Sequence, residues 1–351
     1  MTEAASFFVP PGIAAYADAG MASKVAQARI RMRKMLVPHL RFKKGLQAAL
    51  TEHMAFAPSP SAEGTALMFT GRSGSGKSKT LRYYAKQYPA VRDESGMHRR
   101  VLYVHVPPGA DKYALQRRIM AALGIPVDKR RTSDELSLDI AWHLKEQRVE
   151  LMILDEFNHM VDNRSNRTQF LAADVLKELA NWNCCQMVFG GLASSLLVLE
   201  SNHQLLRRTF SRFEMKGYDW NVDAEQTEFV HFLGTLADEI DYFHRRPALD
   251  DMDLAERTCR ATGGLAGLSS ILTFKALEVA LTMESTALLP RHFEAAFDVM
   301  KPIGTKGNPF VGKVSSVSFP EDYDGKRFLE DDERSGLRES TSKPKKSKEA
   351  A

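Results

Sequence analysis

Cysteine is scarce in this chain, with three in 351 residues. Cys184 and Cys185 are adjacent and Cys259 stands alone, so neither a disulfide framework nor a zinc-ligand spacing can be built from them. That usage fits a reducing compartment and a cytoplasmic protein. No apolar run approaches the ~18 residues of a membrane-crossing helix, so no membrane is expected. Met1-Thr2-Glu3-Ala4 lacks the basic and apolar regions of a secretory signal. No internal repeat is visible. Charge is not strongly one-sided either: 48 Lys and Arg stand against 44 Asp and Glu, for a net +4. That excess alone does not imply a polyanionic partner. What is present is ordinary globular material, 44% apolar and 26% charged, in a length that suits about two domains.

Acid is missing from one stretch. Between Lys24 and Lys44 there are eight bases (Lys24, Arg29, Arg31, Arg33, Lys34, Arg41, Lys43 and Lys44) and no Asp or Glu. The stretch is either a solvated helix face or an arm turned toward a polyanion.

Residues 1–20 read as a loose arm. Helices are expected over 22–36 and 40–56, broken by Pro38, with a loop over Ala57–Gly64. Short apolar runs then alternate with amphipathic helices, the pattern of a parallel α/β sheet. Strands are expected at Ala66–Thr70, Val101–Val106, Leu151–Asp155 and Met187–Gly190, with a shorter one near Phe213–Gly217. Trp142 and Trp182 fall on apolar stripes and are expected in the core. The organisation expected is an N-terminal arm and helices over 1–60, an α/β domain over 61–220 and a small all-helical domain over 221–300. A Ser-, Lys-, Gly- and Pro-rich tail follows over 301–351 and is expected to be disordered.

The first expected strand runs into Gly71-Arg72-Ser73-Gly74-Ser75-Gly76-Lys77-Ser78, with a helix from Lys79. This is G-x-x-x-x-G-K-S, a P-loop. Its glycines let backbone N–H groups curl around a β-phosphate, and the helix N-terminus adds partial positive charge. Residues 71–79 thus form the expected nucleotide site, with ATP and Mg²⁺ as cofactors. Lys77 is placed to reach the β- and γ-phosphates and Ser78 to ligate Mg²⁺.

A second element supports this. Leu151-Met152-Ile153-Leu154-Asp155-Glu156 is an apolar strand ending in two acids. It delivers Asp155 to the metal, and Glu156 can polarise an attacking water, which points to hydrolysis rather than binding alone. Small-molecule kinases with a P-loop usually lack this Asp-Glu pair. In His203–Glu214, Arg212 is the first candidate for an arginine supplied across a subunit interface to the transferring phosphoryl group, with Arg207 and Arg208 as alternatives. His159 is either structural or a water-placing group. Asn308-Pro309-Phe310 is either an anchor for the tail or a turn.

With these motifs the chain resembles the AAA+ ATPases, and within them the TniB/TnsC group of transposition regulators, relatives of the phage Mu target-selection ATPase. The resemblance spans roughly residues 25–300. Beyond the P-loop it rests on Pro38-His39-Leu40-Arg41-Phe42, Asp155-Glu156-Phe157-Asn158-His159, Leu176–Asn181, Gln204–Arg208 and the glycine turn Thr262–Gly267. It implies an AAA+ P-loop NTPase fold, a parallel sheet flanked by helices with a small all-helical lid domain. It implies an ATPase that forms a homo-oligomeric ring or filament on duplex DNA and links a TniQ-type target selector to the transposase. Two positions depart from the group's pattern. The fourth strand ends in Gly190-Gly191 rather than in a polar sensor, with Ser194 and Ser195 further on, and Leu265, Ala266 and Gly267 stand where many lids carry a phosphate-sensing arginine. A slow ATPase is expected.

Leu115, Ile119 and Leu123 are spaced by four, so a helix there packs an apolar stripe on the sheet. Lys112, Arg117 and Arg118 lie off that stripe, and Lys129-Arg130-Arg131 follows once Gly124 and Pro126 end the helix. Lys112, Arg117, Arg130 and Arg131 are the candidate contacts, in the region from which the resembling group grips DNA phosphates. A solvated basic face is the alternative. Two further classes of function stay open, a replication-initiator or loader ATPase and a signalling or secretion ATPase that does not touch DNA.

Overall fold

The computed structural model describes residues 19–56, 65–128, 130–160, 184–196, 211–301 and 307–314. The chain divides into two compact units. Arg41–Lys216 belong to one, and residues up to Leu40 together with Gly217–Pro320 to the other.

The first unit is built on five parallel strands: β1 (Ala66–Thr70), β4 (Val101–His105), β5 (Leu151–Asp155), β6 (Gln186–Gly191) and β7 (Ser211–Glu214). Their order across the sheet is β4-β5-β6-β1-β7. β1, β5 and β6 are buried along their whole length, which is why they read as continuous apolar runs. Strand β7 covers Ser211–Glu214 rather than Phe213–Gly217; Met215, just beyond it, is buried and its N–H still donates to Thr70 O of β1 at 2.8 Å. A hairpin of β2 (Val91–Asp93) and β3 (Gly96–His98) was not expected. Its strands are three residues each and carry no buried side chain, and its turn is closed by Asp93 Oδ1, which accepts from Ser95 N and Oγ.

The helices of this unit are α2 (Leu40–Met54), α3 (Lys77–Lys86), α4 (Lys112–Leu123) and α5 (Ser133–Glu146). Asp111 caps α4 by accepting from Ala114 N at 2.7 Å, and Gly124 ends it in the left-handed conformation. Thr132 and Glu135 cap α5 reciprocally. Buried Gln116 donates to Ser133 O and Ser137 Oγ, both at 2.8 Å, and so pins α4 to α5. Contrary to the expectation from sequence, Trp142 lies outside the core. It is 59% exposed, because α5 buries Leu136, Ile140 and Leu144, and a residue two positions from that stripe faces outward. Trp182 lies outside the described residues.

The second unit is helical: α1 (Ala19–Lys34), α6 (Asp223–Asp238), α7 (Met252–Thr262), α8 (Ala266–Thr282) and α9 (Pro290–Met300). Phe229, Phe232, Leu272, Leu277, Phe293 and Phe297 form its centre. Arg29 of α1 makes a two-pronged ion pair with Glu278 of α8, and Arg31 pairs with Asp241. The expected glycine turn joins α7 to α8, with Gly263 and Gly264 both at positive φ. No single described helix is long and apolar enough to cross a membrane.

Asn308-Pro309-Phe310 is at once a turn and an anchor. Val311 N donates to Asn308 O at 3.0 Å. Phe310 is buried against Phe293 and Phe297, with ring centres 5.5 and 6.2 Å away. Arg257 donates to Pro309 O and Gly312 O. Phe310→Ala should therefore destabilise the helical unit by about 3 kcal/mol in urea unfolding, the cost of emptying a buried aromatic site. An unchanged midpoint would show that this contact does not hold the segment.

Candidate nucleotide site

β1 lies inside the sheet between β6 and β7 and releases the chain at Gly71. A side chain at Gly71 would put Cβ 2.8 Å from Met215 O and 2.9 Å from Ser75 Oγ, so only glycine allows the loop to fold this tightly. Gly76 has φ 102°, a left-handed position that turns the chain into α3. Arg72 and Gly74 are half-buried, Ser73 and Lys79 exposed, and Ser75 buried. Lys77 is the first residue of α3 and is buried. Its Nζ donates to Gly71 O at 2.7 Å and Arg72 O at 2.9 Å. Burial pulls its pKa below the ordinary lysine value, and the Glu156 and Asp155 carboxylates oppose that fall.

The two acids arrive from β5. Asp155 ends that strand with no exposure to solvent. Ser78 Oγ donates to Asp155 Oδ1 at 3.1 Å and to Glu156 Oε1 at 3.3 Å. Glu156 N donates to Asp155 Oδ1 at 3.0 Å. Glu156 has φ 58°, a conformation that costs a non-glycine residue about 1 kcal/mol or more and that tends to mark functional turns. The sequence places the P-loop and the Asp-Glu pair far apart. The sheet brings them into hydrogen-bonding contact.

Two residues escaped the sequence reading. Tyr103 OH donates to Asp155 Oδ2, and Arg82 Nε donates to Tyr103 OH at 2.8 Å. Burial and the neighbouring Asp155 carboxylate raise the Tyr103 pKa above its ordinary value, so it stays a neutral donor. The available signal was the spacing of Ser78 and Arg82, four apart on one helix, and a lone phenol within an apolar strand.

His159 Nδ1 lies 2.9 Å from Val106 O, a structural bond. Asn158 Oδ1 accepts from Leu192 N at 3.2 Å. At the end of β6 a side chain on Gly190 would meet Leu81 at 2.6 Å and Asp155 Oδ1 at 3.2 Å, so no sensor side chain fits there. Ser194 and Ser195 follow, both buried. Arg212 is exposed on β7 opposite Met68 and makes none of these contacts. Arg207 and Arg208 lie outside the described residues, as do Leu176–Asn181.

Two of the four expected DNA-contacting bases stand near acids. Lys112 Nζ is 3.9 Å from Asp134, and Arg131 is 3.7 Å from Asp139. Arg117 is exposed over the Tyr113 ring, and Arg130 is exposed beside Asp128.

The donor set fits a magnesium nucleotide. A buried cation, a hydroxyl and a buried carboxylate converge beside a loop of backbone N–H groups, and the buried Ser75 Oγ has no hydrogen-bond partner. Fold and site together define a P-loop ATPase of the AAA+ class. The chain belongs to the TniB family: the model of the bacterial TniB protein matches residues 33–220. No curated protein matches it. Among solved structures it resembles Cdc6p from Pyrobaculum aerophilum, with a TM-score of 0.56, 16% identity and coverage of 76% of this chain and 69% of that one. The ORC2 protein of Aeropyrum pernix, in ADPNP–ADP complexes, gives 0.56 and 17%, covering 78% and 71%. The ORC1 protein of the same organism in complex with DNA gives 0.52 and 14%, covering 78% and 69%. These likenesses concern the fold.

Lys77→Ala removes the buried cation. Nucleotide binding, followed by fluorescence of a labelled ATP analogue, should fall below detection. Unchanged affinity would sink the assignment of this loop.

Proposed function

We propose that this protein is an ATP-dependent regulator of DNA transposition. It assembles on duplex target DNA as a ring or filament, hydrolyses ATP slowly and links a TniQ-type target selector to the transposase. The observation that carries the reading is the joined Ser78–Asp155–Glu156 constellation in a chain of the TniB family. That a protein of similar fold was solved in complex with DNA adds support for a DNA partner.

In this reading the N–H groups of residues 71–79 hold the phosphates and Lys77 pairs with the β- and γ-oxygens. Ser78 and Asp155 would hold Mg²⁺, which would supply charge neutralisation there. Glu156, kept close to Ser78 by its left-handed backbone, orients and polarises the attacking water. Arg212, exposed on an edge strand, is the group a neighbouring subunit would present to the transferring phosphoryl, with Arg207 and Arg208 as alternatives. DNA phosphates meet Arg117 and Arg130 first. Lys112 and Arg131 must leave Asp134 and Asp139 to join them.

Turnover in the presence of duplex DNA tests this assembly. Glu156→Gln should bind nucleotide and lose turnover by about 10²-fold or more. Arg212→Ala should bind nucleotide and lose turnover too. Mixing the two variants should restore part of the activity, because some interfaces then hold both intact groups. Wild-type turnover in Glu156→Gln, or no recovery in the mixture, would contradict the roles given to Glu156 and Arg212 respectively.

A further inference from the structure

Asp155 is approached from three elements, and its two oxygens are treated differently. Ser78 Oγ and Glu156 N both donate to Oδ1. Oδ2 receives the Tyr103 hydroxyl. The arrangement follows from register. In the parallel pair β4–β5, His105 lies opposite Asp155 and Tyr103 opposite Ile153. Tyr103 and Asp155 therefore project from the same side of the sheet, one diagonal step apart. Helix α3 supplies the rest. Ser78 and Arg82 are four residues apart and share a face. Arg82 Nε donates to the Tyr103 oxygen at 2.8 Å, and its guanidinium stands 5.7 Å from the centre of the Tyr103 ring. Another guanidinium nitrogen is 3.9 Å from Asp155 Oδ2.

A carboxylate on a strand end can rotate about its Cβ–Cγ bond. Here the phenol anchors one oxygen, so the other stays on the Ser78 side, where a metal ion would be held. The Tyr103 ring already packs on the apolar cluster that holds Val101, Leu151 and Ile153, with Ile153 its partner across the strand pair. Phenylalanine would fill the same space, so packing does not explain the hydroxyl. We propose that Tyr103 is a positioning residue that fixes the metal-ligating carboxylate of Asp155, and that Arg82 orients the phenol for this task. The inference rests on the magnesium-nucleotide reading of the site.

Its test separates metal from nucleotide. Full-length protein is saturated with a fluorescent ADP analogue in EDTA, and Mg²⁺ is then titrated in. For Tyr103→Phe the Mg²⁺ midpoint should rise about tenfold, as expected for losing one hydrogen bond to a charged acceptor. Affinity for the analogue in EDTA should not change. Arg82→Ala should move the midpoint the same way by a smaller factor. Arg82 is half-exposed, so this variant carries the test if Tyr103→Phe does not fold. A midpoint that stays in place, or affinities that fall equally with and without Mg²⁺, overturns the proposal. A wild-type protein that binds no nucleotide overturns the reading of the site as well, whereas normal wild-type binding with an unmoved midpoint overturns only the role of Tyr103.

Discussion

A single buried carboxylate organises the α/β unit. Removing Asp155 from water costs several kcal/mol unless donors replace the lost solvation. The fold provides them from a P-loop hydroxyl, a backbone N–H and a phenol. Each donor comes from a different element, so the sheet register, the placement of α3 and the turn at Glu156 are all tied to this one group. The glycines next to it follow from the same constraint. Gly190 is small because Asp155 and Leu81 occupy the space a side chain would need.

The opposite end of the sheet is fastened by a separate polar cluster. His53 bridges Glu150 at 2.9 Å and the Tyr84 hydroxyl at 2.8 Å, and Arg100 holds both oxygens of Glu150 at 3.0 Å. Burial lowers the His53 pKa, so it acts there as a neutral hydrogen-bonding group. With the lower ends of α2, α3 and β5 tied in this way, the P-loop end can hold a strained residue at Glu156 and still be well defined.

What could be read from the sequence was local. The P-loop is eight contiguous residues and the Asp-Glu pair closes a continuous apolar strand, so both were visible without knowledge of pairing. Tyr103 and Arg82 were not, because they meet Asp155 only through the β4–β5 register and the packing of α3. The β2–β3 hairpin has no buried face to leave a pattern. Trp142 reads as part of an apolar stripe, but the stripe that α5 buries runs through Leu136, Ile140 and Leu144 and leaves position 142 outside. The joining of α1 to the C-terminal helices combines burial of Met32 in their apolar cluster with the Arg29–Glu278 pair, a contact across 249 positions that no spacing rule reveals. It also changes the meaning of the basic stretch, since Arg29 and Arg31 are held by carboxylates of their own unit.

In the proposed function, nucleotide binding and duplex DNA binding are coupled. The most direct measurement is the affinity of the full chain for duplex DNA over a salt series, with and without an ATP analogue. Binding should require the analogue, because one subunit offers few phosphate contacts and an assembly offers many. Its logarithm should fall linearly with the logarithm of salt concentration, and Arg117→Ala and Arg130→Ala should each reduce the slope by about 1. Absence of any analogue-dependent duplex binding by the wild type would contradict the account.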